Sequence, residues 1–105
     1  MLENRAMGSD IMALLESQSE VLKAYGVKEI GIFGSYARNE ADAKSDVDVY
    51  VEFNDAQRTF KNFNAIYEVL ESVLKRRIDI VTDRALTERK AKIILPTVRY
   101  AALSH

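Results

Sequence analysis

The 105-residue chain contains no cysteine, which excludes a disulfide framework and any cysteine-held zinc site. The absence is compatible with a reducing cytosol. A basic excess is also missing: 15 Lys and Arg stand against 16 Asp and Glu, a formal net charge of −1. Stand-alone binders of long nucleic acid draw their affinity from phosphate contacts and are usually strongly basic, so no stable nucleic-acid binding is expected of this chain alone. Basic residues cluster only locally, at Lys75-Arg76-Arg77 and Arg89-Lys90. No apolar run approaches the ~20 residues that span a bilayer. Residues 1–10 are polar and mixed in charge, with no apolar core of a signal peptide. The expectation is a cytoplasmic protein without membrane contact, built as one domain over residues 1–105. With 48% hydrophobic and 30% charged residues, the composition is that of a globular chain and not of a disordered one.

The hydrophobic period places the elements. Ser9 or Asp10 is positioned to cap a first helix. Its apolar residues Ile11, Leu15, Leu22 and Tyr25, with Leu14 alongside, have helical spacing, and Gly26 ends it. Residues 28–33 read as a strand with Ile30 and Ile32 on one face, closed by Gly34-Ser35. Residues 36–43 suit a brief helix or helical turn. Ser45-Asp46 turns the chain into its clearest strand, residues 47–53, where Val47, Val49, Val51 and Phe53 alternate with Asp48, Tyr50 and Glu52. A helix is expected over residues 60–75, with Phe60, Phe63, Tyr67, Leu70 and Leu74 as its stripe. A third strand follows at 78–81. Thr87 caps a last helix that ends near Pro96; the residues beyond either fray or pair as an edge. The sum is an α/β fold: a small mixed sheet of about three to four strands covered by about four helices.

Two strands carry aspartate in mid-run, although aspartate is depleted in strands. In Asp46-Val47-Asp48 the two carboxylates lie two residues apart, on one side of the strand and roughly 6.5–7 Å apart along it. Asp79, between inward-facing Ile78 and Ile80, points outward in the same phase. If strand three pairs with strand two, three carboxylates share one patch. Hard oxygen ligands of that kind suit Mg²⁺, and two such ions about 3.5–4 Å apart can clamp an in-line displacement at phosphorus. Asp79 can also accept the acceptor's proton. The plainer alternative makes Asp46 a turn residue and leaves Asp48 and Asp79 facing solvent.

Gly34-Ser35 lies between a strand end and a helix start, where backbone N–H groups and a helix dipole can seat a phosphate. Ser35 adds a hydroxyl, and Arg38, about one turn on, can reach the same phosphates. The alternatives are a common Gly-Ser turn and a surface pair of Arg38 with Glu40 or Asp42. Tyr25 and Tyr67 read as helix packing. Tyr50 is a half-buried strand tyrosine or a platform for the base, Tyr36 a lid contact or plain surface, and His105 an inert terminus. The cations Lys75-Arg76-Arg77 suit a helix C-terminus.

The combined string is more specific than its parts. Residues 31–41, GIFGSYARNEA, then Ser45-Asp46-Val47-Asp48-Val49, then Ile78-Asp79-Ile80-Val81, with ten residues between Ser35 and Asp46, resemble the minimal nucleotidyltransferase (MNT) family of the polymerase-β-like nucleotidyltransferase superfamily. The resemblance runs from about residue 28 to 81. It implies that Gly34 and Ser35 hold an NTP triphosphate, with Arg38 assisting. It implies that Asp46 and Asp48 bind Mg²⁺, as two ions, and that Asp79 completes the metal site and helps deprotonate the acceptor. Small members of that family resemble the antitoxin half of HEPN/MNT toxin–antitoxin pairs. By that likeness the partner is a helical HEPN-type toxin, and the reaction is transfer of AMP from ATP to a toxin tyrosine. Two other functions stay open: a non-catalytic nucleotide-binding partner module, and nucleotidyl transfer to RNA or a small molecule.

Overall fold

A computed structural model of the chain describes residues 8–103. Four strands form one mixed sheet in the order β3-β2-β1-β4. Strand β1 (Val27–Phe33) pairs antiparallel with β2 (Val47–Phe53), and β2 pairs parallel with β3 (Ile78–Thr82). The two-residue β4 (Arg99–Tyr100) pairs antiparallel with β1, which places the residues after Pro96 on a sheet edge.

Five α-helices accompany the sheet among the described residues, one more than the sequence suggests, because the first helix is broken. Helix α1 (Gly8–Ser17) stops at Gln18, whose φ of −103° and ψ of 17° leave the helical basin, and α2 (Ser19–Ala24) restarts at once. Ser9 and Asp10 are not caps; both lie inside the first turn of α1, where the Asp10 charge favours the helix dipole. Gly26 ends α2 as expected, at φ +94°, and a Cβ there would run into the Gln57 side chain.

Helix α3 (Gly34–Ala37) follows β1 directly, and α4 (Phe60–Leu74) crosses over from β2 to β3. Thr59 caps α4, its hydroxyl accepting the Asn62 N–H at 3.1 Å. Lys75 adopts φ +54° and terminates it. The buried stripe of α4 is Ile66, Leu70 and Leu74, flanked by Phe63, Tyr67 and Val73. The stripe drawn from the sequence was anchored one turn too early: Phe60, the first helical residue, is 79% exposed. Tyr25 likewise lies at the surface, as the C-cap just beyond α2.

Ile30, Ile32, Val47, Val49, Val51, Phe53 and Ile78 form the inner face of the sheet, against Ile11, Leu15, Leu22 and the α4 stripe. Each such side chain, fully buried, contributes roughly 1.5–3 kcal/mol, so the period-two pattern fixes the register of β2 firmly. The opposite face is only partly polar. Tyr50 is buried, because the Tyr100 ring of β4 stands edge-on to it with centroids 6.2 Å apart. Gly31, paired with both tyrosines, separates them; a Cβ there would press on the Arg99 carbonyl at 2.5 Å.

At the far end of β2 and β3, Arg58 grips Asp83 with two bonds of 2.7 and 3.0 Å, and also donates to the Phe53 carbonyl and to Asp55. This fork joins the turns that follow the two strands. Helix α5 (Glu88–Ile94), capped by Thr87, leads through a 3₁₀ turn containing Pro96 into β4, and none of its residues is buried.

Candidate active site

The carboxylates sit where β2 and β3 begin and β1 ends. In the parallel ladder Val47 pairs with Ile78 and Asp48 with Asp79, so these two aspartates occupy one rung. On its other side Asp48 pairs with Phe33, the last residue of β1, which delivers Gly34 to the carboxylate. Gly34 has φ +72°, and a Cβ built on it would collide with Asp48 Oδ2. Glycine is required here twice, by the backbone conformation and by the space the carboxylate fills.

Asp48 is half-buried, and its carboxyl is held above the usual aspartate range. Loss of water is the main cause; the charges of Asp79 and Asp46 add to it, and Arg38 opposes. All four side chains therefore act on one patch. They do not yet form a closed metal cage: among the described residues no three Asp, Glu, His or Cys side chains are gathered as a metal site. Asp46 is exposed and held aside by Arg77, whose Nε lies 3.1 Å from its Oδ1. The Asp79 side chain is exposed at the edge of the sheet.

Helix α3 begins two residues earlier than its sequence suggests and ends at Ala37 instead of Ala43. The shift turns Tyr36 into the core, 4% exposed, so it is neither lid nor surface. Ser35, partly exposed, opens the helix beside Gly34, and the first N–H groups of a helix have no partner within it. With a single turn the dipole is small, and the backbone donors count for more than the field.

The turn is braced from behind. Arg99 Nη1 donates to the Ala37 carbonyl at 3.2 Å, and the Asn39 side chain, at φ +59°, accepts the Gly8 N–H at 2.9 Å. Asp42 orders the loop that follows, accepting from the Lys44 N–H and the Ser45 hydroxyl, which hold its carboxyl below the usual range.

Arg38 makes the surface pair that was its plain alternative, with Glu40 at 2.9 Å. Tyr50 offers no face to a base, since Tyr100 covers it; burial first of all pushes its hydroxyl up to about 12. The sequence offers no role for Asn39 and Arg99, and it reads Arg77 only as a helix-end cation, whereas α4 ends at Leu74 and Arg77 pairs with Asp46. Arg77 had one signal, its position two residues before Asp79, but its pairing with Asp46 depends on the parallel register. His105 lies outside the described residues.

The family model for the nucleotidyltransferase domain matches residues 15–101, a span that takes in the turn, all three aspartates and Arg77. The chain belongs to the nucleotidyltransferase domain family. A protein adenylyltransferase, MntA, from Thermococcus cleftensis is 40% identical over 87 residues, covering 83% of this chain and 87% of that protein. A solved structure described as a candidate minimal nucleotidyltransferase superposes with a TM-score of 0.71 at 28% identity, over 92% of this chain and 98% of its own. A chain of a solved complex, that of the tri-AMPylated HEPN toxin of Shewanella oneidensis with an MNT antitoxin, shares the fold at a TM-score of 0.59 and 19% identity, over 89% and 73% of the two chains. This nucleotidyltransferase domain thus has the mixed four-stranded α/β architecture of its minimal relatives, and membership of the family implies an NTP substrate. Among the described residues no helix is long and apolar enough to cross a membrane.

Proposed function

We propose that this nucleotidyltransferase is a Mg²⁺-dependent protein adenylyltransferase that transfers AMP from ATP to a tyrosine of a helical HEPN-type partner, silencing a toxin in the cytoplasm. The observation that carries the reading is the Asp48–Asp79 rung lying directly beneath Gly34. A carboxylate pair there lies beside the Gly34-Ser35 turn, whose backbone N–H groups suit a phosphate. The kinship with a protein adenylyltransferase supports the class of acceptor, and the fold shared with the HEPN–MNT complex supports the partner.

The backbone at Gly34 and the Ser35 hydroxyl hold the triphosphate, and Arg38 contributes positive charge once it leaves Glu40. The side chains suit Mg²⁺ in kind: all are hard carboxylate oxygens, and the absence of a Cβ at Gly34 leaves the space that the Asp48 carboxylate occupies. Asp48 and Asp79 would hold the ion, with Asp46 joining when it leaves Arg77. When bound, one or two Mg²⁺ ions supply charge neutralisation and lower the pKa of the attacking hydroxyl. A free tyrosine hydroxyl titrates near ~10, so it needs that help at neutral pH. Its oxygen forms the new bond to the α-phosphorus, the bond to pyrophosphate breaks, and the phenolic proton passes to the exposed Asp79 carboxylate.

Neutralisation of the partner by contact alone is the second reading, favoured by one observation: Asp46 is tied to Arg77 rather than turned to the rung. Incubation with Mg²⁺ and α-phosphate-labelled ATP in lysate of the source cells separates the two. A protease-sensitive labelled band that an Asp48→Asn control lacks supports transfer to protein. A ribonuclease-sensitive product moves the acceptor to RNA, and no label with any NTP leaves the contact module.

A further inference from the structure

Arg77 is the cation at the site that the proposed chemistry leaves unused. It lies between α4 and β3, and its carbonyl accepts the Val47 N–H at 2.9 Å, extending the parallel ladder beyond the Val47–Ile78 rung. Val47 and Ile78 both point into the core. The residues on either side of them therefore point outward, as two successive rungs: Asp46 beside Arg77, then Asp48 beside Asp79. The first joins opposite charges and the second like charges. Arg77 Nε is 3.1 Å from Asp46 Oδ1, and Nη2 donates to the Lys44 carbonyl at 3.3 Å. Neighbouring guanidiniums are engaged elsewhere, Arg38 by Glu40 and Arg76 by the Leu74 carbonyl.

The pair is also wet. The side chains of Arg77 and Asp46 are 78% and 46% exposed, and ion pairs in that setting are weak and easily exchanged. A guanidinium matches phosphate oxygens as well as it matches a carboxylate. We infer that Arg77 is a positioning latch: paired with Asp46 it holds that carboxylate aside, and on binding of metal and nucleotide it exchanges the carboxylate for phosphate oxygens, releasing Asp46 to the metal. The inference rests on the metal-dependent reading of the site.

Binding, not turnover, tests it. Mn²⁺ is titrated into the nucleotide-free chain by calorimetry, for the wild type, Arg77→Ala, Asp46→Asn and the double variant. A non-hydrolysable ATP analogue is then titrated in the presence of Mn²⁺. The latch requires Arg77→Ala to tighten Mn²⁺ by about two- to fivefold, the scale of one exposed ion pair. It requires no tightening when Asp46 is already Asn, and it requires the analogue to bind Arg77→Ala more weakly, with Arg77→Lys in between. Equal tightening in both backgrounds reduces Arg77 to a general positive field and overturns the latch. So does an unchanged affinity for the analogue. Asp48→Asn separates the two levels: Mn²⁺ binding that survives it removes the metal site and the latch together. Binding lost in Asp48→Asn, without coupling between Arg77 and Asp46, removes the latch alone.

Discussion

Asp48 and Asp79 face each other across one rung of a parallel ladder, with like charges and with Gly34 closing over the first. Water is partly excluded from Asp48, and its carboxyl titrates above the usual range for that reason first. The native state therefore binds this proton more tightly than the unfolded chain. Stability then falls as the pH rises from the ordinary aspartate value through the raised native one, and stays lower above it. Asp48→Asn removes the burden along with the charge. At pH 7 the variant should melt at a higher temperature than the wild type while its transfer is lost. The gap should close as the pH is lowered to the ordinary aspartate range. A variant that melts lower than the wild type at pH 7 contradicts the strained rung.

Gly34→Ala places a Cβ on the Asp48 carboxylate in a left-handed backbone conformation. A loss of about 1 kcal/mol or more is expected from the conformation alone, read by urea denaturation. Nucleotide affinity should fall as well. Unchanged affinity in the folded variant would move the phosphates away from this turn.

Ser35→Ala removes one hydroxyl from the same turn. Affinity for NTP should drop by about 1 kcal/mol, the size of a single hydrogen bond, with stability held. Equal affinities by calorimetry would leave the backbone N–H groups as the sole phosphate donors.

Arg99→Met cuts the brace between β4 and the Ala37 carbonyl. The nucleotide turn loses a support but no substrate contact. The expected result is a raised KM for NTP with little change in kcat, and a KM equal to that of the wild type would show that the turn holds its shape without β4.

Asp83→Asn breaks the Arg58 fork, whose partners are 19% and 23% exposed. Leaving that guanidinium with only the exposed Asp55 carboxylate should cost about 2 kcal/mol, measured by chemical denaturation. Transfer per folded molecule should stay unchanged, because the fork sits at the opposite ends of β2 and β3 from the aspartates.

What was legible in the sequence divides by range. Strand β2 and the phase of Asp48 and Asp79 follow from alternating valines and isoleucines, a local pattern that burial enforces. The Gly34-Ser35 turn was legible as the close of a strand, where β1 indeed ends. The break at Gln18 was not, since residues 11–25 keep helical spacing across it and no proline or glycine marks it. Phe60 misled because an apolar residue at a helix start looks the same whether or not the sheet reaches it. The cover over Tyr50 depends on a two-residue strand fifty positions later. The Arg77–Asp46 pair was hidden for the same reason: strand register, rather than local chemistry, makes them neighbours.

The rung also sets an order of assembly. Gly34, Ser35, Asp46 and Asp48 lie on β2 or in the connection between β1 and β2, within residues 27–53, while Asp79 arrives only when α4 has packed and β3 closes the parallel crossover. Contacts near in sequence close before distant ones, and crossovers of this kind are slow. On the proposed chemistry, a chain in which β3 has not paired with β2 lacks one of the two carboxylates of the rung. Competence for transfer thus waits on closure of the parallel crossover.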